Sequence, residues 1–325
     1  MKTTQRETNP FPYTDSNKRY YTYDYYLRRT YGGKCAKVTL DAGFTCPNID
    51  GRCATGGCIY CSARGSGDFA PDARLPIKEQ YDIQVAKIRR KWDTDRFIPY
   101  LQAHTNTYAP VSRLRAVYEE VLSLPGVVAL HIATRADCLG EAVLSLLAEV
   151  AARIPLTVEL GLQSVSDETA RRINRGHTYA DFLTGYEGLR RAVPTARIAI
   201  HLINGLPGED KAQMLENVCQ VAALRPDEVK LHLLHVLRGT PLAALYERGD
   251  YLPMEREAYV ETVAEQLALL PPETVIGRLT GDGASDMLLA PTWSLRKVTV
   301  LNDIDKKLFQ TGSFQGKLYN LHKNT

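Results

Sequence analysis

Residues 127–162 read VVALHIATRADCLGEAVLSLLAEVAARIPLTVELGL. Two short apolar runs, VVALHIAT (127–134) and LTVELGL (156–162), flank a stretch over 139–152 with helical spacing of its apolar residues. Nearly continuous apolar runs of this length are what parallel strands covered on both faces look like. The spacer is too long for a hairpin and fits a crossover helix, so the segment predicts one right-handed βαβ unit. Working outward, KVTL (37–40), FIPYLQAH (97–104), RIAIHLI (197–203) and VKLHLLH (229–235) bring the strands to six. Ile77, Tyr81, Val85, Ile88 and Trp92 form one helical stripe, Met214, Val218, Val221 and Ala222 another, and 179–193 reads the same way. Repeated βα units within about 200 residues predict an α/β chain folded as a partial TIM-like (β/α)6 barrel. A doubly wound open sheet is the alternative.

Beyond residue 241 the pattern loosens into a helix near 255–270, an extra strand at TVIGRLTG (274–281) and a polar tail. The expected organisation is an N-terminal extension (1–33), a barrel core (34–240) and a C-terminal extension packed on the barrel (241–325). The 325 residues are 44% hydrophobic and 24% charged, which suits a full core and excludes low-complexity classes. No stretch approaches the roughly 18 uncharged apolar residues of a membrane span. The first fifteen residues lack the apolar core of a secretory signal, so a cytoplasmic protein without a membrane partner is expected. A net charge of +3, from 40 basic and 37 acidic side chains, is too small to indicate nucleic-acid binding without a local patch.

The seven cysteines are an odd number, which argues against a disulfide framework. Four of them fall in one loop after the first strand, CPNIDGRCATGGCIYC (46–61). Four thiolates could close a structural zinc site. Structural zinc usually takes two separated Cys-x-x-Cys knuckles, whereas this loop has the single pair Cys58 and Cys61; three thiolates on an iron–sulfur cluster is the competing reading. Paired glycines before Cys58 let the backbone wrap a bulky centre. Polar residues gather at the strand ends: HTNT (104–107), TRAD (134–137), Gln163 and Ser164, His201 and Asn204, His232 and His235. In barrel enzymes that rim builds the active site.

The cysteine loop, FIPYLQAHTNTYAP, IATRADC, VELGLQS, INRGHT, INGLPGED, KLHLLHVLRGTPL and GDG, in this order, resemble the YhcC/YtqA-type radical S-adenosylmethionine (SAM) proteins, relatives of the catalytic subunit of elongator. The resemblance runs from NPFPY to GSFQGK, almost the whole chain. It implies a radical SAM barrel whose [4Fe–4S] cluster is bound by Cys46, Cys58 and Cys61, with SAM on the fourth iron and Cys53 a spectator or alternative first ligand. It also implies cofactor contacts at Tyr60 beside the adenine, at Asn106 and Thr107 for the methionine amino group, at Glu159 for the ribose hydroxyls, and at Gln163 with Arg175 for the methionine carboxylate. GLPGE (205–209) allows close approach to the cofactor. His201, His232, His235 and Asp137 are the candidates for facing cofactor or substrate, Asp137 alternatively bracing Arg135. An electron delivered to the cluster then cleaves SAM to methionine and a 5′-deoxyadenosyl radical, which takes hydrogen from the substrate.

Elongator-type relatives imply tRNA as partner and the wobble uridine as target, with 5-carboxymethylaminomethyluridine converted to 5-aminomethyluridine. An external electron donor such as flavodoxin or ferredoxin and a downstream tRNA methyltransferase complete the implied partners. No stretch after the barrel has the length of an acetyltransferase domain, so acetyl-CoA chemistry is not expected. KRYYTYDYYLRRTYGGK (18–34) holds six of the 18 tyrosines among five Lys or Arg residues. That mixture suits phosphate contact and base stacking, or else an amphipathic cover over the barrel. A radical enzyme for a small metabolite and a zinc-stabilised binding module are the other functional readings.

Overall fold

The computed structural model describes residues 9–65, 69–281, 283 and 285–319. In chain order the elements are α1 (Tyr23–Tyr31), β1 (Ala36–Leu40), α2 (Ile77–Arg89), β2 (Phe97–Leu101), α3 (Val111–Leu122), β3 (Leu130–Thr134), α4 (Glu141–Ala151), β4 (Leu156–Gln163), α5 (Asp167–Arg172), α6 (Tyr179–Ala192), β5 (Arg197–Asn204), α7 (Lys211–Leu224) and β6 (Glu228–Leu233). The remainder is β7 (Val236–Leu237), α8 (Pro241–Glu247), α9 (Arg256–Leu269), β8 (Val275–Arg278), β9 (Leu288–Ala290) and α10 (Lys297–Gln310). All six expected strands are present, and they form one parallel sheet in the order β1-β2-β3-β4-β5-β6-β8 that curls into a half-barrel.

The seventh strand, β8, is the extra strand expected at 274–281 in the C-terminal extension; it pairs with β6 and extends the sheet. Two other boundaries move. Residues 127–129 precede β3 because Gly126, at φ +73°, turns the chain there. The second strand stops at Leu101, and His104 sits in the left-handed region at φ +57°. Trp92 lies past the end of α2 and is exposed.

Each strand splits its residues by parity. Val38 and Leu40, Leu130 and Ile132, Val158 and Leu160, Ile198 and Ile200, and Val229 and Leu231 turn outward into the core shared with the helices. Residues of the other parity, among them Thr39, Tyr100, Glu159, His201 and Lys230, line the cavity on the concave side. The runs that look uniformly apolar therefore carry their polar residues on one face.

The N-terminal segment is a cover. Ile276 N donates to Tyr21 O at 2.8 Å, which joins the segment to β8, and α1 then leads across the strand N-termini to β1. Thr22 caps α1, and Gly32 ends it in the left-handed conformation at φ +72°. Leu27, Tyr23 and Tyr26 pack with Cys35, Ile98 and Ala129 beneath the barrel. Four of the five basic residues are engaged within the fold, Lys18 with Asp305, Arg19 over the Phe309 ring, Arg28 with Asp15 and Asp24, Lys34 with Asp24, while Arg29 is exposed. Of the two uses expected for this stretch, the amphipathic cover is the one its packing matches. Among the described residues no helix is long and apolar enough to cross a membrane.

Candidate active site

The cysteine loop is tied down at several points. Ile49 N bonds Cys46 O at 2.8 Å, Gly57 N bonds Asn48 O at 2.8 Å, and Cys61 N bonds Cys58 O at 3.0 Å. Gly56 and Gly57 have φ of +79° and +76°, which only glycine adopts without strain. Asn174 Nδ2 donates to Thr55 O and Gly57 O at 2.9 and 2.7 Å and anchors the loop to the turn after α5.

Cys46, Cys58 and Cys61 line one inner cavity of about 470 Å³. Cys53 does not; it is exposed on an outer groove, its thiol against Asp137 Oδ2 at 3.7 Å. Cys58 Sγ receives Asn48 Nδ2 at 3.5 Å and Arg175 Nη1 at 3.8 Å. Its thiol is held well below the usual range, first by the hydrogen bond from Cys61, against burial, and then by Arg175. Buried N–H donors aimed at sulfur suit a thiolate-bound centre. Three cysteines on one cavity wall, with Cys53 outside it, match the three-thiolate reading of the loop better than a four-thiolate zinc site.

Tyr60 is half-buried in the cysteine loop and lines the same cavity; desolvation of its hydroxyl first, and the neighbouring Cys58 second, raise that hydroxyl well above 10. Gln163 lines the cavity in a left-handed conformation, φ +78°, where a non-glycine residue needs support from its surroundings. Arg175 is buried beside it, donating through Nη2 to Gly161 O, while its Nε has no partner among the described residues.

Other expected contacts fall elsewhere. Asn106 is fully buried and spends its amide on Ala103 O and Ala133 O, both at 3.0 Å. Thr107 bonds Thr134 and Cys138 O and borders the outer groove. The residues of that strand end which line the inner cavity are His104 and Thr105. Asp137 is held by Arg135 through two bonds, at 2.9 and 2.7 Å, and also borders the outer groove. His201, His232 and His235 all line the inner cavity; Asp282 of the GDG motif lies outside the described residues.

Glu159 is the hub of the barrel's interior. It is fully buried and accepts from Lys37 Nζ and His131 Nδ1 at 2.7 Å each, from His201 Nε2 at 2.9 Å, and from Lys230 Nζ. A carboxylate has about four acceptor sites, and four donors fill them, so no lone pair is left for ribose hydroxyls. Burial opposes its charge, but Lys230 and Lys37 hold it well below the carboxylate range. Burial, then Lys230, pushes His201 down to about 4; burial, then Lys37, pushes His131 down to about 3, so both rings are neutral. Lys230 is lowered to about 8 by burial, against the pull of Glu159. Lys37, His131, Lys230 and Arg278 were not among the residues singled out from sequence; their signal was a charged or polar residue at inward parity in a strand.

Residues 48–218 match the family model of the Radical SAM superfamily, and 226–310 match the Radical_SAM C-terminal domain. The chain belongs to the radical SAM superfamily. It is 45% identical to the uncharacterized protein YtqA of Bacillus subtilis over 96% of this chain and 97% of that one. It is 37% identical to the protein YhcC of Escherichia coli over 88% and 91% of the two chains. A tRNA uridine(34) acetyltransferase of Methanocaldococcus jannaschii is 29% identical over 48% of this chain and 28% of its own. The solved archaeal Elp3 of Methanocaldococcus infernus superposes with a TM-score of 0.62 at 18% identity, over 88% of this chain and 67% of that one, a likeness of fold. This radical SAM chain is an enzyme, and its cofactors are a [4Fe–4S] cluster and SAM.

Proposed function

We propose that this radical SAM enzyme acts on the wobble uridine of tRNA, removing the carboxymethyl group of 5-carboxymethylaminomethyluridine to leave 5-aminomethyluridine. The observation that carries the reading is the similarity of 48% of this chain to part of a tRNA uridine(34) acetyltransferase, joined to a cavity with cations on its inner wall. Cys46, Cys58 and Cys61 hold the cluster, Arg175 and Gln163 meet the methionine end of SAM, and Tyr60 lies beside its adenine. Bound there, cluster and SAM would supply a 5′-deoxyadenosyl radical to take hydrogen from the carboxymethyl methylene; return of one further electron from the substrate to the cluster and hydrolysis of the resulting C–N iminium by water would release the group as glyoxylate. The protein's share is orientation and exclusion of water: Glu159 fixes Lys230 and His201 in the cavity wall, and α1 closes the barrel beneath them. An external one-electron donor of the flavodoxin or ferredoxin type reduces the cluster, a downstream tRNA methyltransferase takes the aminomethyl product, and the setting is the cytoplasm.

Nucleoside analysis tests this. Reduced, cluster-loaded enzyme with SAM should convert 5-carboxymethylaminomethyluridine in tRNA to 5-aminomethyluridine, with 5′-deoxyadenosine formed in step. Cofactor cleavage with no change in the tRNA nucleosides would reject the substrate.

A further inference from the structure

Two tyrosines line the inner cavity, Tyr60 and Tyr100. Among the described residues Tyr100 is the one that continues into a run of neighbouring rings. It meets His131 edge-on at 6.3 Å between centroids, and His131 meets Tyr23 in the same way at 6.2 Å. Tyr23 lies 6.1 Å from Tyr26, Tyr26 lies 6.3 Å from Tyr21, and Tyr21 stacks on Tyr13 at 5.1 Å. The run leads from the cavity wall into the N-terminal cover, where Tyr26, Tyr21 and Tyr13 are only partly buried.

Polar links accompany the rings. His131 Nδ1 stands 2.7 Å from the Glu159 carboxylate, which only accepts, so the proton of this neutral imidazole is on Nδ1. Nε2 then accepts from the Tyr23 hydroxyl at 3.3 Å, which gives Tyr23 a base for its proton. Lys37 Nζ lies 4.6 Å from the Tyr100 ring centre and 4.9 Å from that of Tyr23, and Lys230 Nζ lies 4.9 Å from Tyr100. Cations this close oppose positive charge on a ring, so an electron leaves together with the phenolic proton, as a neutral phenoxyl. Burial first, then Glu159 for Tyr100 and Glu228 for Tyr23, raise both hydroxyls well above 10, so both phenols hold a hydrogen to give.

We propose that Tyr100 is a hydrogen donor that disarms a 5′-deoxyadenosyl radical formed without substrate, and that Tyr23, Tyr26, Tyr21 and Tyr13 pass the remaining radical out to solvent. The inference rests on the radical chemistry of the superfamily and not on the choice of tRNA as substrate. Tyr100 gives its hydrogen to the C5′ carbon: an O–H bond breaks, a stronger C–H bond forms, and a phenoxyl is left. The Tyr23 electron refills Tyr100, while the Tyr23 proton goes to His131 Nε2, the Nδ1 proton to Glu159, and a proton from Glu159 to the Tyr100 oxygen. Tyr26, Tyr21 and Tyr13 refill one another in turn, exchanging protons with water. A soluble thiol finally gives its hydrogen to Tyr13, and two thiyl radicals join as a disulfide.

The test runs reduced, cluster-loaded enzyme with SAM in deuterium oxide, with dithionite as reductant and neither RNA nor thiol present. Phenolic hydrogen exchanges with solvent and carbon-bound hydrogen does not. Mass spectrometry should therefore find one deuterium in the 5′-deoxyadenosine from wild type and none in that from Tyr100→Phe. Undeuterated product from wild type, or deuterium kept in Tyr100→Phe, overturns the donor role. So does wild type that releases no 5′-deoxyadenosine without substrate, because no stray radical then needs disarming. Electron paramagnetic resonance reads the rest of the path. Wild type should show a phenoxyl signal that a small thiol abolishes, whereas Tyr23→Phe should trap the radical on Tyr100 and keep its signal when thiol is added. Equal quenching in the two proteins, or no phenoxyl signal in either, overturns the relay. Tyr23 lies off the cavity wall, so this arm decides the proposal if Tyr100→Phe does not fold.

Discussion

Arg175 rests directly on Gly161: its Nη2 donates to the Gly161 carbonyl, and a Cβ on Gly161 would stand 3.0 Å from that same nitrogen. The same Cβ would lie 2.8 Å from Gln163 Nε2. One missing side chain near the end of β4 leaves room for both groups, and Arg175 reaches the Cys58 thiol.

Gly161→Ala should therefore displace Arg175 and Gln163 while leaving the sheet intact, since Gly161 does not occupy the left-handed region. SAM affinity of the cluster-loaded variant is expected to fall about tenfold or more. Equilibrium binding measures it, and an unchanged affinity in a folded variant would remove Arg175 and Gln163 from the cofactor contacts.

The separation of Cys53 from the inner cavity makes a second expectation sharp. Cys53→Ala should keep its iron, acid-labile sulfide and SAM cleavage, whereas Cys58→Ala should lose all three. Iron loss on replacing Cys53, with iron kept on replacing Cys46, would reverse the ligand assignment.

Glu159 holds Lys37, Lys230 and two neutral histidines together. Glu159→Gln leaves the buried Lys230 and the half-buried Lys37 unmatched and should cost about 3–5 kcal/mol in unfolding free energy, read from denaturant titration. A loss below about 1 kcal/mol would show that the lysines find other partners or deprotonate freely.

Acid should weaken the same network. His201 and His131, lowered to about 4 and about 3, stay neutral in the fold while the unfolded chain protonates them from about pH 6.5 downward. The unfolded state then binds more protons, so stability falls as pH drops from 6.5 toward 4. Below about 4.5, Glu159, whose folded pKa is depressed, adds loss of the same sign. Thermal unfolding between pH 7.5 and 4.5 should show this slope, and His201→Gln should reduce it. Parallel profiles for the two proteins would contradict the buried-neutral assignment.

Arg28 already holds Asp15 and Asp24 on the outer side of α1. Replacing Arg28 with alanine is expected to leave the salt dependence of tRNA affinity unchanged. A flattened slope would return this segment to the RNA-binding surface.

Strand existence was legible because outward residues such as Val158, Leu160, Val229 and Leu231 are uniformly apolar and a helix follows almost every strand. The seventh strand was hard to place because Val275–Arg278 is four residues long, contains Gly277, and gains its position only by pairing with β6 from far along the chain. The thiols sharing the inner cavity, with Tyr60, Gln163, Arg175 and three strand histidines, were accessible from motif spacing and resemblance. Lys37 and Lys230 were not, because a lysine inside an apolar run reads as a tolerated exception until the curvature of the sheet turns its parity inward. Asn106 and Thr107 sit off the inner cavity for a related reason: the chain turns at His104, and the Asn106 amide and Thr107 hydroxyl bond the carbonyls of Ala133 and Cys138.

The junction between Tyr21 and Ile276 also sets a timetable for biosynthesis. At roughly 5–20 residues per second, the N-terminal segment leaves the ribosome about ten to fifty seconds before its partner strand exists. During that interval Tyr20, Tyr23 and Leu27 have no β8 to guide them, and the open edge of the growing sheet is unpaired. A contact of such long sequence separation closes last and slowly. Deleting β8 should therefore loosen the N-terminal segment where Ile276 now holds Tyr21.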